Sequence, residues 1–340
     1  MRRAAVVVLA CLGTCLSDGA AMASGRVLGQ RDQGAFSDAL AVKGSGTVTF
    51  SAVVHPRGRA TMAFFEYGLA ARYREPRPSG LVYDKSTAGV HLAAGSQVDS
   101  ISGQASGLVP NALYHLRLVA ISSAGRVYSP DAPFRTAKDP APPPARFGAA
   151  IDEAPDSGLV LFRARRLSRS RTSRVARLIT GPDFLPLTEN RQVSIDSQVD
   201  ARAGSLRVVV AGPQRPQTQQ ATFTGGVFTL SQTREGPALG LTTLTMLEGI
   251  FPGGPTFDGC NGSVSAALQT VQARDQGGSF ATRGRDSITT ASTAGTVWDT
   301  VDRCDGTLTI VRRGTVTVAD QRLGTTTVVG AGQTYLAQTS

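Results

Sequence analysis

The run Gly107–Thr136, GLVPNALYHLRLVAISSAGRVYSPDAPFRT, constrains the fold more than any other stretch of the chain. After Tyr114, residues His115, Arg117 and Val119 alternate with Leu116, Leu118 and Ala120. That period of two belongs to a strand with one face buried. Ser122-Ser123-Ala124-Gly125 supplies a turn, and Val127, Tyr128, Phe134 and Thr136 read as a closing strand. Leu108 and Pro110 stand just before the tyrosine. They shape a corner onto which a phenol hydroxyl at the start of the strand can bond back. Abundant β-branched residues, 38 glycines and the lack of any long helix-period run extend the all-β reading to the whole chain. Its 340 residues leave room for two domains with cores of their own.

Two further motifs precede this corner in order. Thr47–Gly58, TVTFSAVVHPRG, reads as an opening strand and turn, and Phe64-Phe65-Glu66-Tyr67-Gly68 as a second strand. With the closing Phe134-Arg135-Thr136, the set resembles a fibronectin type III domain of the kind repeated in secreted bacterial proteins, over residues 44–137. The resemblance implies an immunoglobulin-like sandwich in which Tyr114, Leu108 and Pro110 are structural. It also implies a spacer or adhesive unit, not a catalyst.

The first residues read as an export signal. Arg2 and Arg3 precede the apolar run Ala4–Leu16, and Ala21-Met22-Ala23 offers a cleavage site before Ser24. Signal 1–23 and a flexible, polar lead-in 24–43 are expected, with the protein secreted or in the cell envelope. Val8-Leu9-Ala10-Cys11 also resembles a lipobox, so a lipid anchor through Cys11 is the alternative. Removal of residues 1–23 takes away Arg2, Arg3 and Asp18, so the net charge of +10 becomes 10 − 2 + 1 = +9. No later segment approaches the length of a membrane span. Cys260 and Cys304 are then the cysteines left, and in an exported chain they pair as a disulfide.

Asp139–Arg146, DPAPPPAR, carries four prolines and favours polyproline II. Residues 138–147 are therefore the expected linker, and 148–340 a second, β-rich domain. Near its start Arg163, Arg165, Arg166, Arg169, Arg171, Arg174 and Arg177 fall within fifteen residues that hold no acid. Such a strip is either a solvated loop held open by its own repulsion or a polyanion-binding surface, since the guanidinium fork matches carboxylate and phosphate. Short β segments at 191–199, 205–210, 221–224 and 226–232 follow, then the loop-like Phe251–Gly262, where Asn261-Gly262 reads as a turn and not as a glycosylated site. Gly295-Thr296-Val297-Trp298, Arg313–Val318 and the closing Gly332-Gln333-Thr334-Tyr335 resemble the periplasmic FecR-type β domain of iron-citrate sensing systems. That likeness implies stacked strands. An internal echo, Val199–Val209 against Val301–Val311, suggests two stacked strand-turn-strand units.

No catalytic constellation emerges. The histidines are His55, His91 and His115, all in the first half, so a serine triad in the second domain lacks its base. His115 reads as an outward strand residue. Asp299, Asp302 and Asp305 cluster near a turn that they would shape, or where they would bind a cation. No phosphate-binding loop, dinucleotide fingerprint or zinc-protease motif is present. No catalytic, metal or cofactor site is expected. The net charge of +10 favours acidic partners, and nucleic acid lacks aromatic or motif support. The expectation is an exported, non-enzymatic binding or adhesion protein whose partner is an anionic cell-wall polymer or glycan, or an envelope protein. An accessory protein of carbohydrate-active enzymes and a FecR-like envelope signal receiver are the alternatives.

Overall fold

Alternating polar and apolar residues need a pleated backbone to sort them onto two faces, and strands make up most of the described residues. The computed structural model describes residues 37–42, 46–74, 77–163, 184–214, 216–260, 266–277 and 279–339, and among them there is no α-helix. The fold is all-β.

The first half holds β1 (Ser37–Val42), β2 (Thr47–Val54), β3 (Thr61–Leu69), β4 (Lys85–Ser86), β5 (Val90–Leu92), β6 (Asp99–Ser106), β7 (Leu113–Ser122), β8 (Gly125–Tyr128) and β9 (Ala132–Arg135). One sheet is β1-β2-β6; the other is β4-β3-β7-β8, with β5 on β3 and β9 on β7. Period two is realised in β2, where Val48, Phe50, Ala52 and Val54 are buried between half-buried neighbours. The two inner faces meet at Phe50, whose ring lies 5.4 Å from those of Phe65 and Phe134 and 5.6 Å from that of Tyr67. The arrangement is sandwich-like. The expected closing strand is two strands, because Pro130 has no N–H for the ladder. Ser129 covers the break: its N–H donates to Leu118 O and its hydroxyl accepts from Leu118 N, both at 2.9 Å. Residues 37–42, assigned from the sequence to a flexible lead-in, pair along their whole length with β2.

The second half holds β10 (Ala150–Arg163), β11 (Leu185–Pro186), β12 (Arg191–Ser194), β13 (Gln198–Ala211), β14 (Thr218–Thr224), β15 (Val227–Gln232), β16 (Thr242–Met246), β17 (Ala267–Asp275), β18 (Phe280–Arg283), β19 (Ser287–Ala291), β20 (Val297–Arg303), β21 (Gly306–Arg313), β22 (Thr315–Asp320), β23 (Thr325–Gly330) and β24 (Thr334–Gln338). All fifteen belong to one hydrogen-bonded sheet with β10 and β13 as its spine. Along the far edge of β13, Gln198–Asp200 pairs with β15 while Ser205–Ala211 pairs with β14. The sheet therefore splits into two wings, β15-β16-β18-β19-β22-β23 and β14-β17-β20-β21-β24. The wings face each other. Trp298 Nε1 on β20 donates to Thr282 Oγ1 on β18 at 2.8 Å, and Thr289 on β19 meets Thr309 on β21 at 2.7 Å. The Phe223 ring of β14 stands 6.0 Å from those of Phe228 and Phe280 in the opposite wing.

Two expectations fail here. The echo segments do not share a structure: Val199–Val209 lies inside the single strand β13, whereas Val301–Val311 turns at Cys304-Asp305 between β20 and β21. The second half is thus not a pair of stacked strand-turn-strand units. The proline run is also not a free spacer. Its carbonyls, left without partners by an extended backbone, accept from Gln192 Nε2 at 2.9 Å (Pro143 O) and 2.8 Å (Pro144 O). Asp139 beside it pairs with Arg191 at 3.2 Å.

No strand pairing joins the two halves among the described residues, yet they are locked together by side chains. Leu185 packs against both cores. Thr188 Oγ1 donates to Pro110 O at 2.5 Å, and Asn111 Nδ2 donates to Thr188 O at 3.1 Å. Asn111 adopts φ +49° to make this reach, a left-handed conformation that asparagine tolerates.

Candidate functional site

This junction leaves an open cleft of about 600 Å³ with walls from both halves. On the second-half wall, two aromatic rings lie between two guanidinium groups. Arg163, the last residue of β10, donates from Nε to Gln198 Oε1 at 2.7 Å, and its Cζ lies 4.7 Å from the centre of the Phe184 ring. Phe184 meets Phe251 edge-on at 5.4 Å, and Arg202 covers Phe251 at 5.1 Å. Arg202 is held in turn by Asp200, with Nε–Oδ1 2.9 Å and Nη2–Oδ2 2.7 Å, and by Gly253 O at 3.1 Å. The result is a row Arg163–Phe184–Phe251–Arg202 clamped at both ends.

On the first-half wall, Arg74 donates to Leu69 O at 2.8 Å and to Asp84 Oδ2 at 3.0 Å, close to Tyr73 and the exposed Lys85. Counting Arg74, Lys85, Arg163 and Arg202 against Asp84 and Asp200, the lining carries 4 − 2 = +2. Fixed guanidinium planes beside aromatic faces can pair with carboxylate or phosphate while a ring stacks on an apolar surface. Clamped side chains lose little freedom when a ligand arrives.

Of the seven arginines singled out from the sequence, Arg163 is on this wall; Arg165, Arg166, Arg169, Arg171, Arg174 and Arg177 lie outside the described residues. Arg163 and Phe184 are the described residues on either side of that segment, and they stack on one another at the cleft. Tyr114 also borders the cleft, and its Oη accepts from Val109 N at 2.9 Å. Burial pushes its phenol up to about 12. Leu108 and Pro110 are buried beside it. Cys260 and Cys304 form a disulfide with Cα atoms 5.3 Å apart.

The acidic cluster is committed to structure. Asp299 accepts from Arg312 and Gln272, and Asp305 is paired with Arg303. Asp302 takes Thr307 Oγ1 at 2.7 Å and Arg285 N at 3.1 Å, and burial raises its carboxyl. Among the described residues no group of three His, Cys, Asp or Glu is placed to hold a metal ion. His115 lies on the outer face of β7, between the buried Tyr114 and Leu116, and its Nδ1 lies 2.8 Å from Asp131 Oδ2, while Tyr83 Oη donates to the other oxygen at 2.6 Å. No helix of the described residues is long and apolar enough to cross a membrane.

Sequence reasoning missed Arg74, Phe184, Arg202 and Phe251 as partners, and passed over Leu185-Pro186-Leu187-Thr188, which makes the junction. These residues are far apart in the chain and share no local spacing, so no pattern could group them. No protein-family profile, curated protein or solved structure matches the chain.

Proposed function

We propose that the protein is an exported, non-enzymatic binding protein that holds an anionic cell-wall polymer or glycan in the cleft between its halves. The row Arg163–Phe184–Phe251–Arg202 carries the reading: it offers two fixed cations and two ring faces along one wall. A carboxylated or phosphorylated sugar chain has the matching chemistry, with charged groups for the guanidinium forks and C–H faces for the rings. The net charge of +10 adds long-range attraction for an anionic polymer. The disulfide is compatible with an oxidising compartment. In this reading the first half, with its fibronectin-like motifs, is the adhesive or spacing module that completes the cleft.

The test is co-sedimentation of the purified protein with isolated bacterial cell walls at low and high salt. Binding that weakens as salt rises, and that falls about tenfold or more in the double variant Arg163→Gln/Arg202→Gln, is expected. Binding unchanged by the double variant, or hydrolysis of the wall by the purified protein, overturns the proposal.

A further inference from the structure

A second concavity, of about 400 Å³, crosses the outer face of the spine and the adjoining wing, on β10, β13, β14 and β17. Its lining differs in kind from the cleft: hydroxyls, side-chain amides, one carboxylate and one guanidinium, with no aromatic ring. Local backbone geometry builds it. The β10–β13 register passes from Pro155↔Leu206 to Ser157↔Ser205, leaving Asp156 as the extra residue of a bulge, a device that re-aims a side chain. Asp156 thereby stands at one end of the groove and Arg274, on β17, at the other. Three strand spacings separate them, about 14 Å.

Among the described residues, neither the Asp156 nor the Arg274 side chain has a hydrogen bond or ion pair, and both residues are exposed. Elsewhere in this half Arg202, Arg303 and Arg312 are each matched by an aspartate. Between the two ends, Ser205 and Thr224 share one hydrogen bond at 2.9 Å. Gln272 gives its Nε2 to Asp299 at 3.1 Å and keeps Oε1. The Thr222 hydroxyl has no partner among the described residues. The floor therefore presents donors and acceptors in mixed order, with spare capacity at each.

We propose that this groove binds an uncharged oligosaccharide, held by hydrogen bonds to its hydroxyls. Sugar hydroxyls both donate and accept, as do those of Thr222, Thr224 and Ser205. A polyanion is disfavoured, because the lining is charge-balanced and Asp156 repels it. An extended peptide is disfavoured too: it adds to a free strand edge, and β13, β14 and β17, which form the floor of the groove, are each paired on both sides where they line it. The span between Asp156 and Arg274 suits several linked sugar rings better than one. The site is independent of the cleft in position, charge and ligand.

The experiment is a titration of the isotope-labelled full chain with neutral cello-, malto- and chito-oligosaccharides, followed by NMR, with an oligogalacturonate as the charged comparison. Shifts confined to β10, β13, β14 and β17, with a Kd in about the millimolar range, are expected for at least one neutral series. Thr222→Val, which keeps the shape and lies on the solvent face, should weaken that binding roughly three- to tenfold, and raised salt should leave it unchanged. Because Arg163→Gln/Arg202→Gln empties only the cleft, that variant should retain groove binding. No shift at the groove with any neutral sugar, stronger groove binding of the oligogalacturonate, or indifference to Thr222→Val overturns the proposal.

Discussion

Glu153 offers the sharpest test of the energetics. It lies on β10 directly across from Val208 on one side and Arg191 on the other, and its side chain is fully buried. Neither carboxyl oxygen has a hydrogen-bond partner among the described residues. Arg191 does not help, since its guanidinium pairs with Asp139 and lies over the Phe162 ring. Burial alone pushes the Glu153 carboxyl from 4.5 up to about 8. A raised carboxyl binds a proton more tightly in the folded chain, so its contribution is fully present below pH 4.5. It is lost as pH climbs through about 8. At about 1.36 kcal/mol per unit, the 3.5-unit gap makes the fold about 5 kcal/mol less stable at pH 9 than at pH 4, an upper figure for this one group. Glu153→Gln keeps the volume and removes the titration, leaving a buried amide that costs about 1–3 kcal/mol. The variant should match the wild type within that cost at pH 4 and exceed it by about 2–4 kcal/mol at pH 9. Urea unfolding of both proteins from pH 4 to 9 measures the difference and cancels the smaller, same-signed effects of Asp152, Glu189 and Asp302. Parallel stability curves for the two proteins would refute the reasoning.

Tyr114→Phe leaves the buried Val109 N–H without its acceptor and should cost about 1–3 kcal/mol in denaturant titrations; a smaller loss would make the hydroxyl incidental. The Cys260–Cys304 bridge closes a 44-residue separation, worth about 4 kcal/mol in the chain-entropy account. Reductant should therefore lower Tm, and an unchanged Tm would show that the bridge contributes little. The double variant Asn111→Ala/Thr188→Val removes both hydrogen bonds of the junction and should speed tryptic cleavage after the exposed Lys138. Unchanged cleavage would mean that Leu185 and the Asp139–Arg191 pair hold the halves by themselves.

What the sequence made legible follows from how each face is buried. In β2 and β7 the inner residues are Val, Phe, Leu and Tyr, so period two is plain. The inner faces of the wings use Thr282, Thr289, Thr300, Thr307 and Thr309 instead, all fully buried. Their hydroxyls are matched to one another or to Trp298 and Asp302, with Thr282–Thr300 at 2.5 Å. A threonine satisfied in this way is a core residue, but its hydroxyl reads as polar, so β18 and β19 left no clear trace.

The echo misled for a related reason, because glycine serves two purposes in the same string. Gly306 closes the β20–β21 turn at φ +145°, and a Cβ there would stand 2.1 Å from Ala337 O on the edge strand β24. Gly204 lies in continuous strand, and its Cβ would meet Leu159 O at 2.6 Å and Ser157 O at 2.7 Å on β10. Alanine at either position should therefore cost about 3 kcal/mol or more, but in different places. Gly306→Ala should remove hydrogen-exchange protection from β21 and β24 while β10 and β13 stay protected, since the damage is at the sheet's edge. Gly204→Ala should weaken protection throughout the second half, since β10–β13 is the spine from which both wings hang. If the two variants lost protection in the same pattern, the spine-and-wing description would be wrong.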